Sequence, residues 1–280
     1  KKKGAAPGEP EIYRPMGFVN YFRPNPADDI QGAVGAKWAR QRGHKKVFVI
    51  HDQELYGKGV ADVFADTAKK IGLTVAGNEG IDFKQPDQKP VLTKARATGA
   101  DLVYMGGVVD TGAPIVVRNM KDLGMVAARG VKFFGPDGLL EEEVLKGATC
   151  DASMATDMRI TFGSLPFEKL KGIGAKTYEN YKKTYGKEPT AYALYATEAA
   201  RVGLEGVRRA AAQIEKAKDV KEKRDAVRKA ILGIRDFDGL NGRWSFDENG
   251  DSTQEAMSGY KVVKADTPIG CKFAFETALE

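Results

Sequence analysis

Two clusters of residues in this 280-residue sequence have types and spacings that could do chemistry. Gly106, Gly107 and Gly112 stand after a predicted strand, where nucleotide-binding loops lie, but neither G-x-G-x-x-G nor G-x-x-x-x-G-K-[ST] occurs in the chain. The acidic run 247–251 differs from a calcium loop, because its glycine is fourth and no glutamate stands twelfth. We interpret the glycines as a tight turn between a strand and a helix, and the acidic run as a hairpin turn.

Catalytic and metal-binding signatures are lacking from the sequence. No G-x-S-x-G occurs, and Cys150 and Cys271 have none of the flanking residues that mark the common catalytic cysteines. The two histidines, His44 and His51, leave little material for a His-rich metal centre. The sequence therefore favours no enzyme, and we expect neither a catalytic residue, nor a metal, nor a cofactor.

Composition indicates a packed protein without a membrane span or a nucleic-acid partner. Hydrophobic residues make up 42% and charged residues 29%, which argues against disorder, and no run of about 18 apolar residues occurs. Lys and Arg outnumber Asp and Glu by 44 to 38. Acidic residues interrupt the lysines of 218–229, which is typical of a solvated helix face, and the three lysines of 1–3 are too few for a nucleic-acid arm.

The elements that must position any site alternate between strand and helix over residues 45–159. Buried β-rich runs predict strands at 46–51, 73–81, 101–106, 131–135 and 154–159. Helical periodicity predicts helices at 30–42, 60–71, 90–98, 111–123 and 139–146. Such alternation predicts an α/β fold with a parallel sheet covered by helices on both faces.

The rest of the chain changes character after residue 159. Helical stretches are predicted at 167–185, 190–217 and 218–232, and β-like segments at 242–246, 258–264 and 272–277. Tyr178, Tyr181 and Tyr185 share one helix face, which we interpret as a core stripe rather than a binding ladder. A helical block without strands of its own must cover a sheet that this chain does not supply in full.

Three predicted loops lie at the carboxyl ends of the parallel strands, where ligands bind in open α/β sheets. They are 52–56, 107–110 and 136–138, and they bring an aromatic ring, bare glycine backbone and the carboxylate of Asp137. Such a set suits a small polar ligand with a cationic group. For Asp137, capping of a helix that opens at Leu139 is an equal alternative.

At these loops the sequence resembles the periplasmic substrate-binding proteins of branched-chain amino acid ABC transporters. The matching segments occur in the family's order and cover nearly the whole chain. They are residues 22–23 (FR), 29–32 (DIQG), 47–57 (VFVIHDQELYG), 101–107 (DLVYMGG), 133–138 (FFGPDG), 189–199 (PTAYALYATEA) and 242–251 (GRWSFDENGD). The resemblance implies the two-lobed type I periplasmic-binding-protein fold, with a ligand held between lobes that close by a hinge.

Site residues follow from the resemblance position by position. Tyr56 matches a tyrosine that packs on the ligand, and Asp137 matches the acidic residue that holds the ligand's ammonium group, a glutamate in many members. Gly107 precedes a position that often carries an aromatic ligand contact, but here that residue is Val108, which leaves the ligand class open. Tyr192 lies in a segment that can reach the cleft. Cys150 and Cys271 fall in segments of one lobe, and either a disulfide between them or two buried free thiols is expected.

The resemblance also implies a domain division. The first lobe comprises 1–27 and 159–256, and the second comprises 28–158 and 257–280. Family members begin with strands that supply carboxylate-binding groups, and this chain starts after them, so about 90 residues of an ordinary-sized first lobe are absent. We expect the chain alone to bind its ligand weakly or not at all. No leader with a charged start and an apolar core opens the sequence, so a signal peptide has been removed or lies outside this numbering.

The function that the resemblance implies is that of a solute receptor. The protein would deliver an amino acid or related molecule to an ABC transporter permease, from a periplasmic or extracellular location with or without a lipid anchor. Two alternatives stay open at this point. One is a ligand sensor of the same fold that regulates another protein, and the other is a nucleotide-using α/β enzyme, which the missing phosphate loops disfavour.

Overall fold

The computed structural model describes residues 7–126 and 130–280, so the lysines of 1–3 lie outside the described residues. Helices and strands alternate through the first half of the chain as predicted, except that helix occupies 150–155 and the strand predicted at 154–159 begins only at Arg159. The α-helices are α1 Asp28–Gln41, α2 Leu55–Lys70, α3 Lys89–Ala97, α4 Ala113–Asp122, α5 Glu142–Ala148, α6 Cys150–Ala155, α7 Gly172–Tyr185, α8 Ala193–Arg209, α9 Ala211–Lys216 and α10 Val220–Leu232. The strands are β1 Lys46–His51, β2 Thr74–Gly80, β3 Leu102–Gly106, β4 Lys132–Gly135, β5 Arg159–Phe162, β6 Phe237–Gly239, β7 Gly242–Trp244, β8 Met257–Lys264 and β9 Cys271–Leu279.

The chain forms two compact units. One, here called the sheet unit, comprises 28–163 and 256–280; the other, the helical unit, comprises the described residues of 1–27 together with 164–255. The division that the resemblance implies falls after residue 158, whereas the structure divides the chain after residue 163. The difference arises because Arg159–Phe162 is a full strand of the sheet, paired with β4 on one side and β8 on the other.

The sheet unit is built on one sheet with the strand order β2-β1-β3-β4-β5-β8-β9. The first five strands are parallel, and β8 and β9 run antiparallel beside β5. Residues 47–51 of β1 and all of β3 are buried, without the alternation of a half-exposed strand. Such continuous apolar runs form strands that helices cover on both faces, so the predicted α/β sheet is confirmed.

The core of the sheet unit contains a large aromatic cluster between the sheet and its helices. The ring centroids of Trp38 in α1 and Phe134 in β4 lie 5.1 Å apart. Phe64 of α2 stacks on Tyr104 of β3, with ring centroids 3.8 Å apart. The Tyr104 side chain is fully buried, and its hydroxyl has no hydrogen-bond partner among the described residues. Burial, with smaller contributions from nearby carboxylates, raises the pKa of this phenol, so its proton stays bound.

Tyr104→Phe should therefore stabilise the protein. The substitution keeps the stacked ring and removes a hydroxyl that loses water on folding without gaining a partner, so the free energy of unfolding should rise by about 1 kcal/mol. Urea denaturation measures the change. Tyr178→Phe is the matched control, since that exposed hydroxyl donates to Glu188 and should give no gain. A Tyr104→Phe protein less stable than the parent would contradict this account.

A disulfide joins Cys150, at the start of α6, to Cys271, at the start of β9, with their Cα atoms 5.8 Å apart. Both cysteines belong to the sheet unit, and the bond ties its antiparallel edge to a helix 121 residues away along the chain. Of the two alternatives from sequence, the structure has the bonded pair. Closing so long a loop restricts the unfolded chain, which is the main way in which such bonds stabilise.

Replacing Cys150 and Cys271 together with serine should lower the free energy of unfolding by about 2–4 kcal/mol. The parent protein should lose a similar amount when reduced by dithiothreitol, and the double variant should not respond to the reductant. Denaturation with and without dithiothreitol gives both comparisons. Equal stability of the oxidised parent and the double variant would show that the bond does not restrict the unfolded state.

The helical unit has little sheet of its own. Its described residues contain the two-stranded sheet β6–β7, beside a cluster formed by Val202, Ile234, Phe237, Trp244 and Phe246. Glu198 is buried against this cluster. Its carboxylate accepts hydrogen bonds from the Trp244 indole N–H at 2.8 Å and from Arg201 at 2.8 Å. A buried carboxylate paired in this way is structural, and it fixes α8 against the β6–β7 turn.

The prediction that the tyrosines of α7 form a buried core stripe is wrong. Tyr185 is 62% exposed, and Tyr178 and Tyr181 are only half-buried. The pattern does place the rings on one face, because the ring centroids of Tyr181 and Tyr185 lie 4.6 Å apart. The described chain covers that face only in part, with Phe167 stacked on Tyr178. Exposed apolar side chains also stand on α8 and α10. No described helix is both long and apolar enough to cross a membrane.

Candidate functional site

The turn from β1 into α2 holds the first predicted loop rigidly. The backbone N–H of Asp52 donates to the carbonyl of Gly106 at 3.1 Å, and its buried carboxylate accepts from the N–H of Glu54 at 3.0 Å. Gln53 adopts a left-handed φ of 66°, and its side-chain amide donates to the carbonyl of Ile81 at 3.0 Å. A glutamine in this region is strained, and the surrounding bonds maintain it. Tyr56 is thereby fixed in the first turn of α2.

Two glycines bring α2 against the end of β3. A Cβ atom added to Gly106 would lie 2.0 Å from the carbonyl oxygen of Gly57, and one added to Gly57 would lie 2.7 Å from the carbonyl of Gly106. Both distances are below any real contact, so each position requires glycine. The glycine pair that the sequence analysis interprets as a tight turn thus also provides the close helix–strand packing.

The three predicted loops meet at Gly138. A Cβ added there would lie 2.8 Å from the carbonyl oxygen of Gly107, 2.9 Å from Cγ1 of Val108 and 3.1 Å from Cε1 of Tyr56. The structure therefore brings together Tyr56, Gly107 and Val108 beside the turn that carries Asp137. These are the residues of the sheet unit that the sequence analysis singles out for ligand binding. That they bind a ligand stays a prediction.

The central contact of the site joins Tyr56 to Asp137. The Tyr56 hydroxyl donates to Oδ1 of Asp137 at 2.6 Å, which is a short, charge-assisted hydrogen bond. Asp137 is the first residue of a 3₁₀ turn, Asp137–Leu139, whose N-cap is Pro136. Helix α5 begins only at Glu142, with Glu141 at its N-cap. The alternative that Asp137 caps a helix is therefore wrong, because the helix starts later than the sequence suggested.

Gln31 belongs to this site and was not predicted as part of it. It lies on α1, is 5% exposed, and its Oε1 faces the Tyr56 hydroxyl at 3.4 Å. Its side-chain N–H donates to the backbone carbonyl of Thr161 in β5 at 3.2 Å. The signal in the sequence is a long polar side chain on the buried face of α1, one turn before Val34.

The other candidates belong to the helical unit. Tyr192 belongs to the helical unit, directly before α8, and is 38% exposed. In the acidic run, Asp247 accepts hydrogen bonds from the N–H groups of Asn249 and Asp251, so the run is the expected turn. Over residues 7–126 and 130–280, no group of three His, Cys, Asp or Glu side chains is placed to hold a metal ion.

Gly138→Ala should destabilise the protein by about 1–3 kcal/mol, because the new methyl group meets the backbone of Gly107 and the packed loops must move. Gly59→Ala is the matched control. It lies in the interior of α2 with open space around it, so alanine should raise the free energy of unfolding by about 0.5–1 kcal/mol. Chemical denaturation measures both variants. A Gly138→Ala protein as stable as the parent would show that the three loops do not meet there.

Comparison with known proteins identifies the family. Residues 11–267 match the periplasmic binding proteins. Because this match covers most of the chain, the protein belongs to that family, which confirms the resemblance found in the sequence. Members of the family bind substrates rather than convert them.

Individual relatives agree with the family match. The chain is 28% identical over 266 residues to Leu/Ile/Val-binding protein homolog 1 of Brucella suis, covering 94% of this chain and 65% of that protein. It is 33% identical over 181 residues to an amino acid binding protein of Pseudomonas aeruginosa, covering 64% of this chain and 46% of that protein. The chain thus spans between about half and two thirds of the length of these curated relatives.

A solved structure shows the same fold. The leucine-binding protein of Thermotoga maritima superposes on this chain with a TM-score of 0.77 at 24% identity. The superposition covers 92% of this chain and 67% of that protein. At this identity the likeness shows the fold alone, and it confirms the predicted periplasmic-binding-protein type of α/β architecture.

Proposed function

We propose that the protein is a receptor for an amino acid or a closely related small molecule, and that the ligand's ammonium group binds Asp137. The observation that carries this proposal is the pairing of Tyr56 with Asp137 at the carboxyl ends of the strands. Ligands bind at this edge of open α/β sheets. No covalent bond is made or broken in this function.

The chemistry of the pair suits an ammonium group. A carboxylate has acceptor sites on both oxygens, so Asp137 can accept from a ligand while it accepts from Tyr56. Each charge-assisted hydrogen bond contributes about 1.5–3 kcal/mol. The half-buried ring of Tyr56 adds a packing surface or a cation–π contact of about 0.5–2 kcal/mol. Together these groups provide one charged and one apolar contact at the same place.

The relatives support the ligand class. The Brucella protein is named as a homologue of a Leu/Ile/Val-binding protein, the Pseudomonas protein as an amino acid binding protein, and the Thermotoga protein as a leucine-binding protein. Val108 indicates which kind of ligand side chain the site would accept. It is 37% exposed beside Gly138, and a branched aliphatic residue there suits an aliphatic side chain by apolar contact. Leucine is therefore the first probe to test.

Cellular role and location are part of the same proposal. The role typical of the family is delivery of the bound solute to the permease of an ABC importer. A receptor with this role works in the periplasm or outside the cell, free or held by a lipid anchor. Family membership and the names of the relatives support this role. The oxidised Cys150–Cys271 pair suits such a compartment, because secreted proteins retain disulfides.

Titration calorimetry of the full-length protein tests the site. L-leucine and isocaproate, the leucine analogue without the α-amino group, differ only in the group that Asp137 is proposed to hold. Asp137→Asn keeps the shape of the side chain and removes its charge, so the affinity for L-leucine should fall at least about tenfold, which is 1.4 kcal/mol. The affinity for isocaproate should not fall. Tyr56→Ala should also weaken the binding of L-leucine.

Asp66→Asn is the matched control, because Asp66 is an exposed carboxylate on α2 and its loss should leave binding unchanged. Melting curves exclude unfolding of the variants. Unchanged L-leucine affinity in both Asp137→Asn and Tyr56→Ala would refute the site. A loss in Tyr56→Ala alone would indicate a ligand without an amine.

A further inference from the structure

His51 is buried at the carboxyl end of β1, just before the turn that leads to Tyr56. Its side chain is 7% exposed, and its Nδ1 accepts a hydrogen bond from the backbone N–H of Gln53 at 3.1 Å. A backbone N–H can only donate, so Nδ1 carries a lone pair and the proton of the neutral ring lies on Nε2. The turn therefore uses His51 as a neutral acceptor.

This bond acts on the strained residue of the turn. Gln53 has a left-handed φ of 66°, a conformation that surrounding contacts must maintain in a residue other than glycine. Its side-chain amide donates to the carbonyl of Ile81 at 3.0 Å. A Cβ added to Gly80 would lie 2.5 Å from Cγ of Gln53 and 3.1 Å from Cε1 of His51. The two side chains thus pack together against the end of β2, and α2 begins directly after the turn, at Leu55.

Charged groups from α2, β2 and the turn surround the His51 ring. They are Asp52 in the turn, Lys58 and Asp62 of α2, which pair with each other, and Glu79 of β2, which pairs with Lys94 of α3. Opposite His51 on β3 stands Gly106, which has no side chain. Burial, followed by the positive charge of Lys58, lowers the pKa of the ring from its ordinary value of 6.5, and the two aspartates oppose this. The ring is therefore neutral at about pH 7 and takes up a proton only in acid.

We infer that His51 is a positioning residue of the site, whose neutral ring holds the turn that places Tyr56, and that acid releases this hold. A protonated imidazole donates from both nitrogens, so Nδ1–H would face the N–H of Gln53 with no acceptor between them. The turn then loses one of the bonds that maintain its strained residue. The consequence for ligand binding rests on the proposed receptor function, whereas the consequence for the turn does not.

Thermal unfolding of the ligand-free full-length protein between about pH 8 and about pH 5 tests the turn. In His51→Asn the side-chain oxygen can accept from the N–H two residues on and does not titrate, whereas His51→Leu has no acceptor. The unfolded parent binds a proton near pH 6.5 and the folded parent only at lower pH, so stability is lost as the pH falls below 6.5. The Tm of the parent relative to His51→Asn should fall by about 2–4 °C across this range. The Tm difference between the two variants should not change with pH.

NMR of the isotope-labelled protein separates the hydrogen bond from burial alone. At about pH 8 the His51 ring should carry its proton on Nε2, and the Gln53 amide should be protected from exchange in the parent and in His51→Asn but not in His51→Leu. At about pH 5 the protection should persist only in His51→Asn. A proton on Nδ1, or protection of Gln53 that is the same in all three proteins, would overturn the inference. So would a constant Tm difference between the parent and His51→Asn.

Calorimetric titration with L-leucine tests the link to the site. At about pH 8, His51→Asn should bind as the parent does, and His51→Leu at least about threefold more weakly, because the turn before Tyr56 is less well ordered before binding. At about pH 5 the parent should bind at least about threefold more weakly than His51→Asn. Equal acid dependence in these two proteins would overturn the link between His51 and the site. A parent protein that does not bind L-leucine at about pH 8 would instead contradict the proposed function, while unfolding and NMR still decide the role of His51 in the turn.

Discussion

The contact on which the site depends is the close approach of two backbones at Gly57 and Gly106. The end of β3 and the first turn of α2 meet there with no room for a side chain on either residue. This approach brings the first turn of α2, which carries Tyr56, close to the end of β3. The hydrogen bond from the N–H of Asp52 to the carbonyl of Gly106 fixes the same junction from the β1 side. Asp137 comes just after β4, the neighbour of β3 in the sheet, and its carboxylate therefore lies within hydrogen-bond distance of the Tyr56 hydroxyl.

Much of the sheet unit could be predicted because its signals are local. The sequence predicts β1 to β4 and α1 to α4 to within a few residues. The signals are short apolar runs, glycines that follow helices, and the alternation of strand-like with helical periodicity. The convergence of Tyr56 and Asp137 was also predictable. Parallel strands end at one edge of the sheet, so the residues just beyond β1 and β4, the two strands on either side of β3, lie at the same edge. Topology, rather than any motif, supplied that prediction.

The wrong or missed predictions have a common physical cause. Each depends on which distant part of the chain packs against the residue or strand in question. Spacing on α7 shows that Tyr178, Tyr181 and Tyr185 share a face, but not what covers it. Gln31 looked like any polar residue of a helix until α1 was placed against β5. The boundary at residue 159 was too early because β5 is only four residues long, and its two neighbours in the sheet come from distant parts of the chain.

The hydrogen bonds at the site show how one unit can hold a binding group in a single orientation. Thr161 of β5 accepts from Gln31 of α1, Gln31 faces Tyr56 of α2, and Tyr56 donates to Asp137 beyond β4. Each member comes from a different element, so the chain of contacts exists only when the parallel part of the sheet is assembled. The net charge of the protein is +6, yet the group that faces the strand ends is a carboxylate. Charges separated by more than about 8 Å are screened at physiological salt, so the electrostatic preference of the site is set by this local network and not by the charge of the whole chain.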